Sequence, residues 1–129
     1  MRLVIDAPVS QSEIPTGLDL HFNQMPGFGT SVIATISIDD SALTFDLTDG
    51  KLAADVDIGG IFYDEKGKPI NSFVGRLRIF PKEGAKKKRS IYQFSTLVPG
   101  GLYQVRIGIR DLKSSRTGSA IDWITVPKI

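Results

Sequence analysis

The stretch LVPGGLYQVRIGIR, residues 97–110, decides the fold because it joins a turn directly to an alternating strand. Pro99 fixes its own φ, and the two glycines that follow it can adopt positive φ, so the chain can reverse sharply here. Apolar and polar residues then alternate from Tyr103 to Arg110. This alternation is typical of a β-strand with one face on a core and the other in water.

The tyrosine that begins this strand predicts where the strand lies in the fold. In immunoglobulin-like sandwiches a tyrosine near the start of strand F bonds back to the corner before it, and a cysteine follows two residues later. Val105 stands at the cysteine position here. We therefore predict a tyrosine-corner-like turn formed by Leu97, Pro99, Gly100 and Tyr103.

Outward from the corner, short alternating segments separated by turn residues fill the chain, without a convincing helical period. The Asp49-Gly50 pair is the strongest hairpin signal. We predict an all-β fold, an immunoglobulin- or fibronectin-III-like antiparallel β-sandwich of about seven to eight strands. The expected strands cover residues 18–23, 31–38, 43–47, 52–63, 70–80, 91–98 and 103–110, with a closing strand around Trp123.

One strand carries an expected irregularity. Leu52 to Ile58 alternate in one phase, but the apolar residues beyond Gly59-Gly60 are out of phase with them. We expect a β-bulge at the glycines. With such a bulge, the sequence does not decide which face of the sheet carries the side chain of Phe62.

Composition favours one ordinary globular domain over residues 1–129, with residues 1–15 as a lead-in or edge strand. Hydrophobic residues make up 41% of the chain and charged residues 23%, and the net charge of +2 is too small to imply a polyanionic partner by itself. The chain has no cysteine, which excludes disulfides and thiolate metal sites.

Near the N-terminus, the apolar run of residues 3–5 is too short for the apolar region of a signal peptide. No run approaches membrane-spanning length. We expect either a cytosolic protein or the excised tail of a longer exported protein.

The C-terminal half also resembles a known family. The segment from GLYQVR at 101–106 to GSA-x-x-W-I-x-V-P at 118–127 looks like the β-sandwich domain that follows the von Willebrand factor A (VWFA) domain in bacterial VWFA-related proteins, and residues 43–50 and 63–68 are similar as well. The resemblance implies an accessory module of an exported protein, in the periplasm or at the cell surface. The metal-dependent adhesion motif of the A domain is absent, since residues 39–43 fail D-x-S-x-S at the last position.

Catalytic constellations are not marked in the sequence. The only histidine, His21, falls on the polar side of its strand, and no serine sits in a Gly-x-Ser-x-Gly elbow. Asp55 and Asp57 lie about 7 Å apart on one strand face, too far to share a calcium ion without further ligands. We predict no enzymatic activity, no catalytic residue, no cofactor and no metal site.

The acidic residues of this strand have a structural interpretation instead. If residues 52–64 form strand C, their outward face lies beside strand F, with strand G beyond. We therefore expect an exposed cross-strand charge ladder of Asp55, Asp57, Arg106, Arg110 and Asp122.

Two features could bind a polymer. Trp123 could stack on a sugar, but a single tryptophan in a closing strand usually packs. The run Lys86, Lys87, Lys88 and Arg89 could contact a polyanion, although a solvated loop over residues 82–90 is the plainer interpretation.

These observations favour a non-enzymatic immunoglobulin-like accessory or interaction module, which holds or presents a neighbouring domain or protein. The alternative is a carbohydrate- or polyanion-binding β-sandwich module. We expect no specific nucleic-acid partner, no membrane span, and a monomer or weak dimer.

Overall fold

The computed structural model describes residues 13–81 and 89–128, and strands account for most of them. A single 3₁₀ turn, Asp40–Ala42, follows the second strand in this part of the chain. The strands are β1 Thr16–Met25, β2 Gly29–Asp39, β3 Asp46–Thr48, β4 Lys51–Tyr63, β5 Pro69–Ile79, β6 Arg89–Val98, β7 Gly101–Asp111 and β8 Thr117–Val126.

Two antiparallel sheets pack face to face. The smaller sheet has the order β1-β2-β6. In the larger sheet β7 lies between β4 and β8, and β5 pairs with the other side of β4. The short β3 pairs with the first residues of β4. This arrangement confirms the predicted immunoglobulin- or fibronectin-III-like sandwich.

The core lies between the sheets because one face of each strand is apolar. Along β2, the inward residues Val32, Ala34, Ile36 and Ile38 are fully buried, and the residues between them are partly exposed. This strand lies between β1 and β6 in the smaller sheet. The turn at Asp49-Gly50 also forms as predicted, with positive φ at both residues.

The expected bulge at Gly59-Gly60 is wrong. Alternation continues through the glycines, so Phe62 is fully buried and Ile61 lies on the outer face. The register with β5 shifts only later, between Phe62 and Tyr63. The phase of β4 changes instead at its start, where Ala53 and Ala54 are both buried.

Gly60 has a packing role. A side chain at this position would collide with the ring of Phe73 and approach Ile107. The Phe73 ring stacks on Phe94 of the smaller sheet, with 4.5 Å between ring centroids. The missing side chain at Gly60 therefore makes room for an aromatic contact that joins the two sheets.

The ends of the predicted loops also differ from expectation. Ile14 belongs to the core although the sequence placed it in the lead-in, and its N–H donates to the carbonyl of Thr117. Arg89 already lies in β6 rather than in the charged loop. The rest of the lead-in, residues 1–12, and loop residues 82–88 lie outside the described residues.

The third strand is shorter than predicted, since it begins at Asp46, whereas Leu43 is buried in the core. No helix in the part of the chain that the structure describes has the length and hydropathy needed to span a membrane.

Candidate functional site

The corner that decides the fold is closed by a hydrogen bond. The hydroxyl of Tyr103 donates to the backbone carbonyl of Pro99, with 2.6 Å between the oxygens. Burial raises the pKa of the Tyr103 phenol, and the nearby carboxylates of Asp64 and Glu65 raise it further. The phenol therefore keeps its proton at neutral pH and remains a donor to the corner.

The other two predicted corner residues have different surroundings. Leu97 is exposed at the end of β6. A side chain at Gly100 would collide with Pro127 and Lys128, so glycine lets the segment after β8 pass close to the corner.

A cleft of about 450 Å³ opens beside this corner. Its walls are the turn between β4 and β5 and the end of β6 with the following turn. The side-chain amide of Asn71 donates to the hydroxyl of Thr96 at 2.6 Å and joins the edges of the two sheets there. The lining residues are 64–66, 70–71 and 96–103.

Two ion pairs cross from β4 to β5 on the outer face of the larger sheet. The Nε of Arg76 lies 2.7 Å from Oδ1 of Asp57, and the Nε of Arg78 lies 2.9 Å from Oδ1 of Asp55. Each arginine stands opposite its aspartate in the strand register. Hydrogen bonding from Arg78 holds the pKa of the Asp55 carboxyl below its ordinary value of 3.8.

The predicted charge ladder is wrong in its cations: Asp55 and Asp57 pair with Arg78 and Arg76 of β5, not with the predicted arginines of β7. Arg110 is in register with Asp57, but the carboxylate of Asp57 binds Arg76. The predicted ladder placed strand F beside this strand and no strand on its other side. The structure places β5 on the other side, where its arginines meet both aspartates.

The remaining members of the predicted ladder make other contacts. Arg106 donates from Nε to Oε1 of Gln104 at 2.9 Å, and its guanidinium carbon lies 5.2 Å from the centroid of the Tyr63 ring. Asp122 accepts a hydrogen bond from the N–H of Trp123. Arg106 thus belongs to an aromatic and amide cluster rather than to a chain of ion pairs.

Trp123 is the largest departure from the sequence interpretation. It was expected to pack, but 56% of it is exposed on the outer face of the edge strand β8. Gln104 stands opposite it on β7, and Tyr63 stands opposite Gln104 on β4. Residues opposite one another in antiparallel strands share a face, so these three side chains form one row across the sheet. We call this set the Trp123 row.

The Trp123 row borders a second, smaller cleft of about 190 Å³. The turn after β4 closes its other side with Asp64 and Glu65, and Leu102 completes the apolar part. Oδ1 of Asp64 accepts the N–H groups of Lys66 and Lys68, both at 2.9 Å, so the turn is held in place. The cleft therefore combines flat rings, an amide and two carboxylates beside a hydrogen-bonded turn.

The other candidate residues stay apart from this cleft. His21 is exposed on β1 of the smaller sheet, on the predicted polar side. Arg89 donates a hydrogen bond to the hydroxyl of Ser37. Two hydrogen bonds from Ser41 hold the pKa of Asp39 below its ordinary value, and the positive charge of Arg89 adds a smaller effect in the same direction. Lys86, Lys87 and Lys88 lie outside the described residues. Within residues 13–81 and 89–128, no group of three His, Asp or Glu could hold a metal ion.

Asp111 is a buried acidic residue that the sequence analysis did not single out. Its Oδ2 accepts the N–H of Thr44 at 2.7 Å and the hydroxyl of Ser114 at 3.0 Å, and its Oδ1 accepts the N–H of Lys113 at 3.1 Å. The carboxylate thus ties the β7–β8 turn to the segment before β3, which is a structural role.

Comparisons with known proteins agree on the architecture. No family model and no curated protein matches the chain. Among solved structures it is similar to a β-glucuronidase of Bacteroides uniformis, with a TM-score of 0.62 and 12% identity over 85% of this chain and 13% of that one. It is also similar to a glycosyl hydrolase family 2 member of Bacteroides cellulosilyticus, with a TM-score of 0.57 and 11% identity over 88% of this chain and 15% of that one.

The fold and the comparisons together define a class. The chain spans only about 13–15% of the length of these two glycosidases, and at such identities the likeness shows the fold alone. The chain is therefore a β-sandwich module of the immunoglobulin-like kind.

Proposed function

We propose that the chain is a non-catalytic accessory module that holds or presents a neighbouring domain or protein through the outer face of its larger sheet. One observation carries the proposal: Val74 is 84% exposed on the edge strand β5 of this face, and Trp123 is exposed on the opposite edge strand. Ile61 lies partly exposed on β4, between these two edges, and Ile121 lies partly exposed on β8, the strand that carries Trp123. Exposed apolar and aromatic groups on one face are typical of interaction surfaces.

The resemblance to VWFA-related proteins supports a place for this module in a larger exported protein, outside the cytoplasm. Its similarity to small parts of long glycosidases fits the same view of a module within a multidomain chain. In this proposal the isolated module is a monomer or weak dimer, and its partner is the neighbouring domain or another protein.

Photo-crosslinking in the host cell tests the proposal. A photoreactive phenylalanine replaces Val74 in the full chain, and a matched control carries it at Ser95, which is exposed on the smaller sheet. We expect a product of discrete mass from position 74 that excess unlabelled chain competes away, and none from position 95. Equal yields from both positions, or no product from position 74, would contradict the proposal.

A separate experiment tests the proposal that the chain has no catalytic activity. The purified chain is assayed with chromogenic glycosides and esters, and we expect no turnover above that of a heat-treated control. Turnover that disappears when one carboxylate of the Asp55–Asp57 strand or of the β4–β5 turn is replaced by its amide would overturn it.

A carbohydrate-binding module is the second candidate, and the exposed Trp123 favours it. The polyanion-binding form of this alternative depends on Lys86, Lys87, Lys88 and Arg89. Arg89, the one described member, already binds Ser37 within the smaller sheet, so no contact favours that form.

A further inference from the structure

We infer that the Trp123 row and the adjacent turn form a binding site for a neutral pyranose chain. The inference rests on the proposed role of this sheet face in binding and adds a ligand class for one end of it. Three properties of the site carry the argument: its flat rings, its hydrogen-bonding groups and its charge.

The rings come first. Trp123 and Tyr63 lie on either side of β7, so their backbones are about 10 Å apart at a strand spacing of about 4.8 Å. Two rings at this separation offer platforms for two sugars of one chain rather than for one compact ligand. The indole is exposed, and an aromatic ring presents an apolar face on which the C–H face of a pyranose can lie.

The polar groups match the rim of a sugar. Gln104 stands between the two rings, and since its carbonyl oxygen accepts from Arg106, its NH₂ group is left to donate. Oδ2 of Asp64 and the carboxylate of Glu65 border the cleft and accept no hydrogen bond from the described part of the chain. Sugar hydroxyls both donate and accept, so they can satisfy the amide and the carboxylates together.

Charge and donor chemistry argue against other occupants. The charged residues that line this cleft are Asp64 and Glu65, whereas Lys66 and Lys68 of the same turn do not line it, so the lining itself disfavours a polyanion. A proline-rich peptide could also lie on aromatic rings, but proline has no N–H to offer the carboxylates. A neutral polyol fits both requirements.

The position of Trp123 provides the measurement, because it is the only tryptophan of the chain. Its emission is recorded while neutral hexasaccharides of β-linked glucose, xylose, mannose and N-acetylglucosamine are added to the full chain, with heparin and a proline-rich peptide as competing classes. We expect at least one neutral hexasaccharide to shift the emission to shorter wavelength with saturation. Calorimetry then gives the affinity for that sugar.

Variants assign the binding to the row. Trp123→Ala should weaken binding of that sugar about tenfold or more, the loss typical of a deleted stacking ring, and Gln104→Ala should weaken it less. Ser95→Ala, on the exposed face of the smaller sheet, is the control and should bind as the wild type does. Unchanged melting temperatures show that each variant is folded, which the exposure of Trp123 and Ser95 favours.

The opposite results are equally clear. Absence of binding by every neutral sugar, or binding by heparin or the proline-rich peptide alone, would overturn the inference. The crosslink from position 74 is measured separately and does not depend on a sugar. A failed titration with a retained crosslink would therefore reject the sugar site and leave the accessory role intact.

Discussion

The hydroxyl of Tyr103 donates to the carbonyl of Pro99 across the turn that joins β6 to β7, at 2.6 Å. The phenol is almost fully buried, so its loss leaves that carbonyl without this partner. We expect Tyr103→Phe to lower the free energy of unfolding by about 1 kcal/mol with the fold retained. Chemical denaturation measures the change.

Tyr63→Phe is the matched control, because no described residue hydrogen-bonds to the Tyr63 hydroxyl and the ring itself stays in place. Equal denaturation midpoints for Tyr103→Phe and the wild type would show that the bond contributes nothing to stability.

A second prediction concerns Gly60. Its missing side chain leaves space for the ring of Phe73, so Gly60→Ala should force that ring to move and cost about 1–3 kcal/mol of stability. In a Phe73→Leu background the ring is gone, and the same substitution should cost clearly less. Thermal or chemical unfolding of the four proteins gives the coupling, and an equal cost in both backgrounds would refute the packing role.

Local patterns predicted the corner, the hairpin and the core-facing residues of the strands, because these features depend on residues close in sequence. The alternation of β7 and the Asp49-Gly50 turn are examples. The partner of Asp57 depends instead on which strand lies on each side of β4. Arg76 has the right residue type on the right face, but only the strand order shows that it is the neighbour.

The candidate site was harder to predict for a related reason. Trp123 lies on an edge strand and points away from the core, although an aromatic in a strand usually packs. Tyr63 and Gln104 are distant from it in sequence and join it only through strand register. The strand's own alternation does indicate the exposed face, because Trp123 is three residues from the buried Val126 and side chains an odd number of residues apart point to opposite faces.

A third prediction concerns the pair of Asp57 and Arg76. Because the arginine is exposed, the coupling between them should be small and should shrink from low salt to about 1 M salt. A double-mutant cycle with Asp57→Asn and Arg76→Gln measures it. The cycle of Asp57 with Arg110, its register partner on β7, should give a smaller coupling energy. A larger coupling with Arg110 than with Arg76 would instead support the charge ladder that the sequence predicted.

A fourth prediction concerns acid. The hydrogen bond from Arg78 holds the folded-state pKa of Asp55 below the ordinary 3.8, so this carboxylate favours the fold above that value. The contribution should disappear as the pH falls through the folded pKa. The stability difference between wild type and Asp55→Asn should therefore be largest at about pH 6 and should narrow below about pH 4. A difference that grows in acid would contradict the pairing.

The fifth prediction concerns Asp111, whose carboxylate receives three hydrogen bonds in a buried position. Asp111→Ala leaves the N–H of Thr44 and of Lys113 and the hydroxyl of Ser114 without this acceptor, and it should cost about 3 kcal/mol because hydrogen bonds to a charged group contribute more than neutral ones. Ser114→Ala removes one hydrogen bond to Asp111 and one exposed bond accepted from the N–H of Arg116, and it should cost about 1 kcal/mol. Asp122→Ala is the control, since its exposed carboxylate bonds only to the next N–H, and its stability should match the wild type. Denaturation curves of the three variants should follow this order. A small loss for Asp111→Ala would show that water can replace the carboxylate, and the turn between β7 and β8 would then be held mainly by its backbone bonds from Asp111 and Ser115.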